Sequence, residues 1–244
     1  MSKTVLITGA TSGLGLELAK LYAPSSRLLL LGRKSLSKLE DKLFHSHAYC
    51  QCNLSKPNCA EVVTEWLEIE GITSLNLVIH NAGVGYYGHL LRQGDKSIDE
   101  VLAVNLYAPI RLTHALLPRL KNANGKLVFI SSVAANLPVA KYSVYGSSKA
   151  ALSSFARNLR LELNDVKVQT IYPGAIQTDM HRKSDATILN TKNFPSADKI
   201  ARKIVRAVAT NKPEVTIGFS NQAVRNFGYY ASRFTDFIAR ATSR

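Results

Sequence analysis

Thr4-Val-Leu-Ile-Thr-Gly-Ala-Thr-Ser-Gly-Leu-Gly-Leu-Glu-Leu-Ala-Lys-Leu-Tyr22 starts as a short apolar run, passes through a glycine-rich turn and continues with apolar residues at helical spacing. Val5–Thr8 reads as a buried strand and Leu14–Tyr22 as an amphipathic helix. Between them, Thr8-Gly-Ala-Thr-Ser-Gly-Leu-Gly15 spaces its glycines as Gly-x3-Gly-x-Gly, not as the commoner Gly-x-Gly-x2-Gly. Glycines at a strand-to-helix turn let a pyrophosphate approach the free N–H groups of the helix start. Gly9, Thr11, Ser12, Gly13, Leu14 and Gly15 are therefore candidates for holding the phosphates of a dinucleotide.

The alternation continues outward from this unit. Further strands are expected at Arg27–Leu31, Ala48–Gln51, Leu75–Ile79, Lys126–Ser131, Val166–Tyr172 and Glu214–Gly218. Helical patterns lie between them at Leu36–Phe44, Ala60–Glu68, Ile98–Leu120, Val144–Leu163 and Ala197–Thr210. Near-continuous apolar strands separated by helices predict a parallel sheet covered on both faces. The expected architecture is α/β: a single doubly wound, Rossmann-type domain with a seven-stranded parallel sheet over residues 1–218. Residues 219–244 read as a helical extension of that domain, and residues 180–210 as a lid over the substrate.

In open α/β sheets, ligands bind beyond the carboxyl ends of the strands, so those ends carry the candidate site. The second strand ends in Gly32-Arg33-Lys34, where many dinucleotide folds place an acid for the ribose 2′-hydroxyl. A guanidinium there can instead clasp a 2′-phosphate through two hydrogen bonds. Arg33, helped by Lys34, favours NADP over NAD. The third strand reaches Asn53-Leu54, whose amide suits an adenine edge, and the fourth ends in His80-Asn81-Ala82-Gly83, where small residues can pass beneath a cofactor. The sixth runs into Pro173-Gly-Ala-Ile-Gln-Thr178, a second close-approach loop contributing Pro173, Gly174, Ile176 and Thr178.

The fifth strand ends in Ser131-Ser132, thirteen residues before Tyr145. Tyr145 and Lys149 are four apart on a helix and so share a face. A phenol beside an ammonium has its pKa drawn down, which suits proton transfer near neutrality. Asn105, a polar residue in an apolar helix, reads by itself as satisfying a nearby backbone group.

Composition bounds the alternatives. The 244 residues are 46% hydrophobic, ample for a packed core, and no apolar run approaches the roughly 20 residues of a membrane span. The first strand leads straight into the glycine loop, so no signal peptide is read. Cys50, Cys52 and Cys59 are too few for a disulfide scaffold, and the expected compartment is the reducing cytoplasm. With His45 and His47 they invite a metal reading. Their spacings lack paired Cys-x2-Cys, and strand alternation sets Cys50 and Cys52 on one face away from the rest, so no metal is expected.

The formal charge of +14 is uneven: residues 181–244 carry 12 Lys/Arg against 4 Asp/Glu. A basic surface is compatible with nucleic acid, anionic lipid or an acidic substrate, or with a generic solvated face. The last helix, expected at Ala223–Ala241, is basic and amphipathic. Packing over the pocket or across an oligomer interface is favoured for it over peripheral membrane contact. No nucleic-acid partner is expected.

The glycine loop, Asn81-Ala-Gly83, Asn105, Ser132, Tyr145-x3-Lys149 and Pro173-Gly174 with Thr178 together resemble the short-chain dehydrogenase/reductase superfamily in its compact form, over residues 1 to about 180. The ending looks more like its broad-specificity branch than its acyl-carrier reductases. The resemblance implies catalytic roles for Asn105, Ser132, Tyr145 and Lys149. Tyr145 would be the general acid/base, and Lys149 would lower its pKa and hold the nicotinamide ribose. Ser132 would polarise the substrate oxygen. Asn105 would hold a helix distortion and a water of the proton relay. It departs from the family pattern at His80, where a second asparagine is common, and at Asn53, where an aspartate is common. The expected activity is NADP-dependent hydride transfer to or from an apolar carbonyl or secondary alcohol, in a homo-oligomer. Leu137, Val139, Tyr142 and Met180 are the pocket candidates. A non-catalytic NADP-binding redox sensor is the alternative.

Overall fold

The computed structural model describes residues 2–178, 180 and 193–230, without the side chains of Val224 and residues 226–230. Seven strands, β1 (Lys3–Thr8), β2 (Ser26–Gly32), β3 (Ala48–Gln51), β4 (Leu77–His80), β5 (Lys126–Ile130), β6 (Lys167–Tyr172) and β7 (Glu214–Thr216), form one sheet. Its order is β3-β2-β1-β4-β5-β6-β7, with every pairing parallel. This is the doubly wound arrangement that the alternation implies.

The continuous apolar runs are explained by two cores, one on each face of the sheet. Val5, Ile7, Leu28, Leu30, Ile79 and Val128 point to one side, against α1 (Gly13–Tyr22). Leu6, Leu29, Leu31, Val78, Leu127 and Phe129 point to the other. Strand side chains alternate between faces, so a strand buried on both must be apolar throughout.

α2 (Leu43–Ser46) is a single turn. A helix expected across Leu36–Phe44 is instead split into a 3₁₀ turn, Leu36–Lys38, and α2. The Asp41 carboxylate accepts the Leu43 N–H at 3.1 Å. An aspartate that satisfies a backbone donor locally starts a new helix and interrupts the old one.

α3 (Cys59–Ile69) lies on the second core, and α4 (Asp95–Leu102) leads through a π-helical turn, Ala103–Tyr107, into α5 (Ala108–Lys121). There the Ala108 N–H reaches back five residues to the Ala103 carbonyl, which widens the turn around Asn105. α6 (Ser143–Glu162) completes that layer, while α7 (Ala197–Val208) packs beside α1 in the first core. α8 (Phe219–Tyr230) follows Gly218, whose φ of +100° turns the chain out of β7. It starts four residues before the expected Ala223, and the expected continuation to Ala241 lies outside the described residues.

Strand boundaries otherwise fall within two residues of expectation. The order reverses between β1 and β4, and a crevice opens beyond their carboxyl ends.

Candidate active site

At the reversal point, Thr8 ties β1 to β4. Its Oγ1 accepts the N–H groups of Asn81 and Ala82, both at 3.0 Å, and the Asn81 Nδ2 donates to the Thr8 carbonyl at 3.0 Å. The glycine turn is drawn against this seam. Gly9 has φ +67°, and a Cβ on it would lie 2.9 Å from the Ala82 Cα; a Cβ on Gly15 would lie 2.1 Å from the Gly9 carbonyl oxygen. Larger residues would push the helix start away from the strand ends.

One cavity of about 520 Å³ runs along these ends, within the roughly 300–1,000 Å³ usual for small-molecule sites. Every cofactor candidate named from sequence lines it except Lys34, and so do Ser132, Tyr145 and Lys149. The Lys34 carbonyl accepts the Tyr49 hydroxyl at 2.6 Å. Arg33 lines the cavity, half exposed, with its Nη1 3.3 Å from Glu100 Oε1. The Asn53 Oδ1 accepts from Ser55 N–H and Oγ at 3.1 and 2.9 Å, so its amide N–H₂ is the part left for a ligand.

The opposite end holds the buried titratable candidates. Tyr145 and Lys149 lie one turn apart on α6, 8% and 3% exposed. Burial raises the Tyr145 pKa, and the Ser132 hydroxyl hydrogen bond works against that rise. Burial also pulls Lys149 down to about 8, since an ammonium is costly to desolvate. Lys149 Nζ donates to the Ile130 carbonyl at 2.9 Å. That leaves two of its three donors for the cavity. Ser132 caps the short turn Val133–Ala135, its Oγ accepting from the Ala134 N–H at 3.2 Å.

Asn105 does not line the cavity; it is fully buried behind it. Its Oδ1 accepts the Val84 N–H and its Nδ2 donates to the Val84 carbonyl, both at 2.9 Å, and to Ser148 Oγ at 3.0 Å. Ser148 Oγ in turn donates to the Tyr145 carbonyl at 2.7 Å. Three elements, the loop after β4, the π turn and α6, are thereby locked together.

Sequence reasoning passed over Ser131, whose Oγ donates to the Lys149 carbonyl at 3.1 Å and shares a 2.8 Å bond with Ser153 Oγ. Its place beside Ser132 at the end of β5 was the available signal. Val133, Ala134 and Phe194 also line the cavity unforeseen, whereas Leu137 does not line it; Val139, Tyr142 and Met180 do. The Tyr142 ring sits 5.2 Å from that of Tyr145. Residues 181–192 of the expected lid lie outside the described residues; of the rest, Met180 and Phe194 line the cavity and Ala197–Val208 forms α7 in the first core.

The cysteines are placed differently from expectation: Cys59 joins Cys50 and Cys52 in the core under α3. Burial drives the Cys50 and Cys52 thiols up to about 11 and 12. Among the described residues no cluster of three or more His, Cys, Asp or Glu could hold a metal ion. His80, buried, shares a 3.1 Å hydrogen bond with Thr113 Oγ1 and stacks on Phe129; burial pulls its pKa down to about 3.

The residues present fit an elongated anionic dinucleotide. The first turn of α1 has no acidic residue and no side-chain cap at Ser12, so its amides are available to phosphate. Lys149 at the far end keeps unspent donors for a sugar hydroxyl.

A doubly wound sheet with this cradle is built to bind a nucleotide. The chain belongs to the short-chain dehydrogenase/reductase family: residues 3–189 match the family described as short chain dehydrogenase. It is 32% identical over 239 residues to dehydrogenase/reductase SDR family member 7B of Xenopus tropicalis, covering 87% of this chain and 76% of that protein. A short chain dehydrogenase from Burkholderia cenocepacia in complex with NADP superposes with a TM-score of 0.84 at 20% identity, covering 98% of this chain and 97% of that one. A short chain dehydrogenase/reductase from Burkholderia phymatum in complex with NAD gives 0.80 at 20% identity, covering 93% and 92%. Both cofactors occur among such neighbours, so the shared fold does not choose between them. Among the described residues no helix is long and apolar enough to cross a membrane.

Proposed function

We propose that the protein is an NADP-dependent oxidoreductase that reduces an apolar ketone or aldehyde, or oxidises the corresponding alcohol, with Tyr145 as general acid/base. The observation that carries this reading is the convergence of Ser132, Tyr145 and Lys149 on one end of the cavity, with Arg33 at the other.

In this reading bound NADPH supplies the hydride. The first turn of α1 receives the pyrophosphate, Arg33 the 2′-phosphate, and Lys149 the nicotinamide ribose. Ser132 donates to the carbonyl oxygen and fixes it beside the phenol. Because burial keeps the Tyr145 phenol protonated, the resting side chain is a proton donor, suited to reduction. Lys149, poised at about 8, exchanges a proton near neutrality and restores that of Tyr145. Asn105 holds the π turn in the shape that admits a relay water. Val133, Val139, Tyr142 and Met180 surround the reaction end with largely apolar surface, which excludes water and selects an apolar substrate.

Residues 1–218 form the catalytic domain in this proposal and 219–244 its helical extension. The protein works as a homo-oligomer in the cytoplasm, where its free, buried cysteines remain reduced.

Purified protein given NADPH or NADH and a panel of apolar ketones and aldehydes tests the reading. NADPH-dependent consumption of a carbonyl is expected. Tight NADPH binding without any carbonyl consumption would favour a redox sensor of the same fold.

A further inference from the structure

Arg225 on α8 is 75 residues or more from every catalytic candidate in sequence, yet its guanidinium reaches the bases of two loops that form the reaction end. Its Nε donates to Asn136 Oδ1 at 3.2 Å, four residues beyond Ser132. Its Nη1 donates to Thr216 Oγ1 at 3.4 Å and its Nη2 is paired with Glu214, both on β7. The guanidinium carbon lies 3.7 Å from the centre of the Tyr172 ring. Tyr172 is 1% exposed and directly precedes Pro173, where the second cofactor loop begins.

We propose that Arg225 is a positioning residue that ties the Ser132 turn to β7, and so holds Ser132 in register with Tyr145. The proposal rests on the carbonyl-reduction reading for its kinetic consequence.

Two features set this contact apart from a surface ion pair, which would contribute little. The Arg225 side chain is only 12% exposed. Glu214, moreover, already faces Arg157 at 3.5 Å and Arg160 at 3.9 Å, both from α6. A third guanidinium is not needed to neutralise one carboxylate. What Arg225 adds is reach: a planar fork addresses an amide oxygen, a hydroxyl and a ring face at once, which an ammonium cannot do.

The backbone carries the effect onward. The Val133 N–H donates to the Pro173 carbonyl at 3.1 Å and the Ser131 N–H to the Ile171 carbonyl at 2.8 Å. The two loops therefore move as one body, and Arg225 pins that body to β7. Displacing a reacting group by about 1 Å costs on the order of 100-fold in rate.

The test compares Arg225→Ala, Arg225→Lys, Asn136→Ala and the Arg225→Ala/Asn136→Ala double variant. It reads kcat, KM and amide hydrogen exchange of residues 132–137 with NADPH bound. Arg225→Ala is expected to lower kcat/KM by about 10- to 100-fold while NADPH affinity stays within about 2-fold. Exchange over 132–137 rises, Arg225→Lys recovers little, and the double variant is no worse than the more impaired single one. Unchanged exchange, unchanged kcat/KM in folded protein, or losses that simply add would each overturn the proposal. If Arg225→Ala does not fold, Asn136→Ala decides it, with the same loss expected and unchanged kcat/KM as the contrary result. If the unmodified protein consumes no carbonyl, the reductase reading fails, and hydrogen exchange still decides whether Arg225 holds the loop.

Discussion

The two ends of the cavity are built on opposite principles. At the reaction end, Tyr145, Lys149 and Asn105 are buried, and Lys149 and Asn105 are each held by hydrogen bonds to another element. At the opposite end, which the proposal gives to the adenosine, Arg33 is half exposed and its guanidinium faces one half-exposed carboxylate, Glu100. Burial makes electrostatics large, which is why Lys149 is moved to about 8, whereas solvent screens the Arg33–Glu100 pair. In the proposed reading chemistry is placed among buried groups, and cofactor choice at the exposed end, where single substitutions change little else.

Substitutions can break this contrast, with the largest effect at the buried end. Tyr145→Phe is expected to lower turnover by about 10²- to 10⁴-fold, the range of a lost general acid, while NADPH still binds. Asn105→Ala strands the Val84 N–H and carbonyl together with Ser148. It should destabilise the fold by about 1–3 kcal/mol for each buried group left unpaired, read from denaturant unfolding, and depress activity beyond the unfolded fraction.

His80 sharpens the contrast through pH. Its folded pKa is lowered to about 3 from 6.5, so below 6.5 the unfolded chain binds a proton that the folded chain refuses. Stability should therefore fall with pH from about 6.5 toward 3, by up to about 1.4 kcal/mol per unit. His80→Asn should flatten that slope in acid titrations followed by unfolding midpoint.

At the exposed end, Arg33→Ala should weaken NADPH binding about 10-fold and leave NADH binding nearly unchanged. Equal losses for both cofactors would contradict the assignment of Arg33 to the 2′-phosphate. The smallest effect belongs to Glu100→Gln. Freeing Arg33 from its partner should tighten NADPH, or adenosine 2′,5′-bisphosphate, by no more than about 5-fold, the scale of an exposed ion pair.

Much of this was legible in the sequence, because strand-turn-helix signals are local. Runs such as Leu28–Leu31 and the glycine turn at Gly9–Gly15 encode both a two-sided sheet and its cradle. The reaction groups were legible for a similar reason: Tyr145 and Lys149 need only helical spacing to meet. The π turn around Asn105 was foreseen only through the family resemblance, which placed a helix distortion there. Two things were not legible. The break after Leu36–Lys38 comes from one Asp41 side chain outcompeting helix propensity. The reach of Arg225 to Asn136 depends on tertiary placement of α8, which no local pattern encodes.

The most direct test of the central claim measures NADPH binding and carbonyl consumption on the same preparations of the unmodified protein and Tyr145→Phe. Both should bind NADPH comparably, and only the unmodified protein should turn over a ketone or aldehyde at an appreciable rate. Equal turnover by the two proteins would show that Tyr145 is not the proton donor, and the account of the buried end would fall with it.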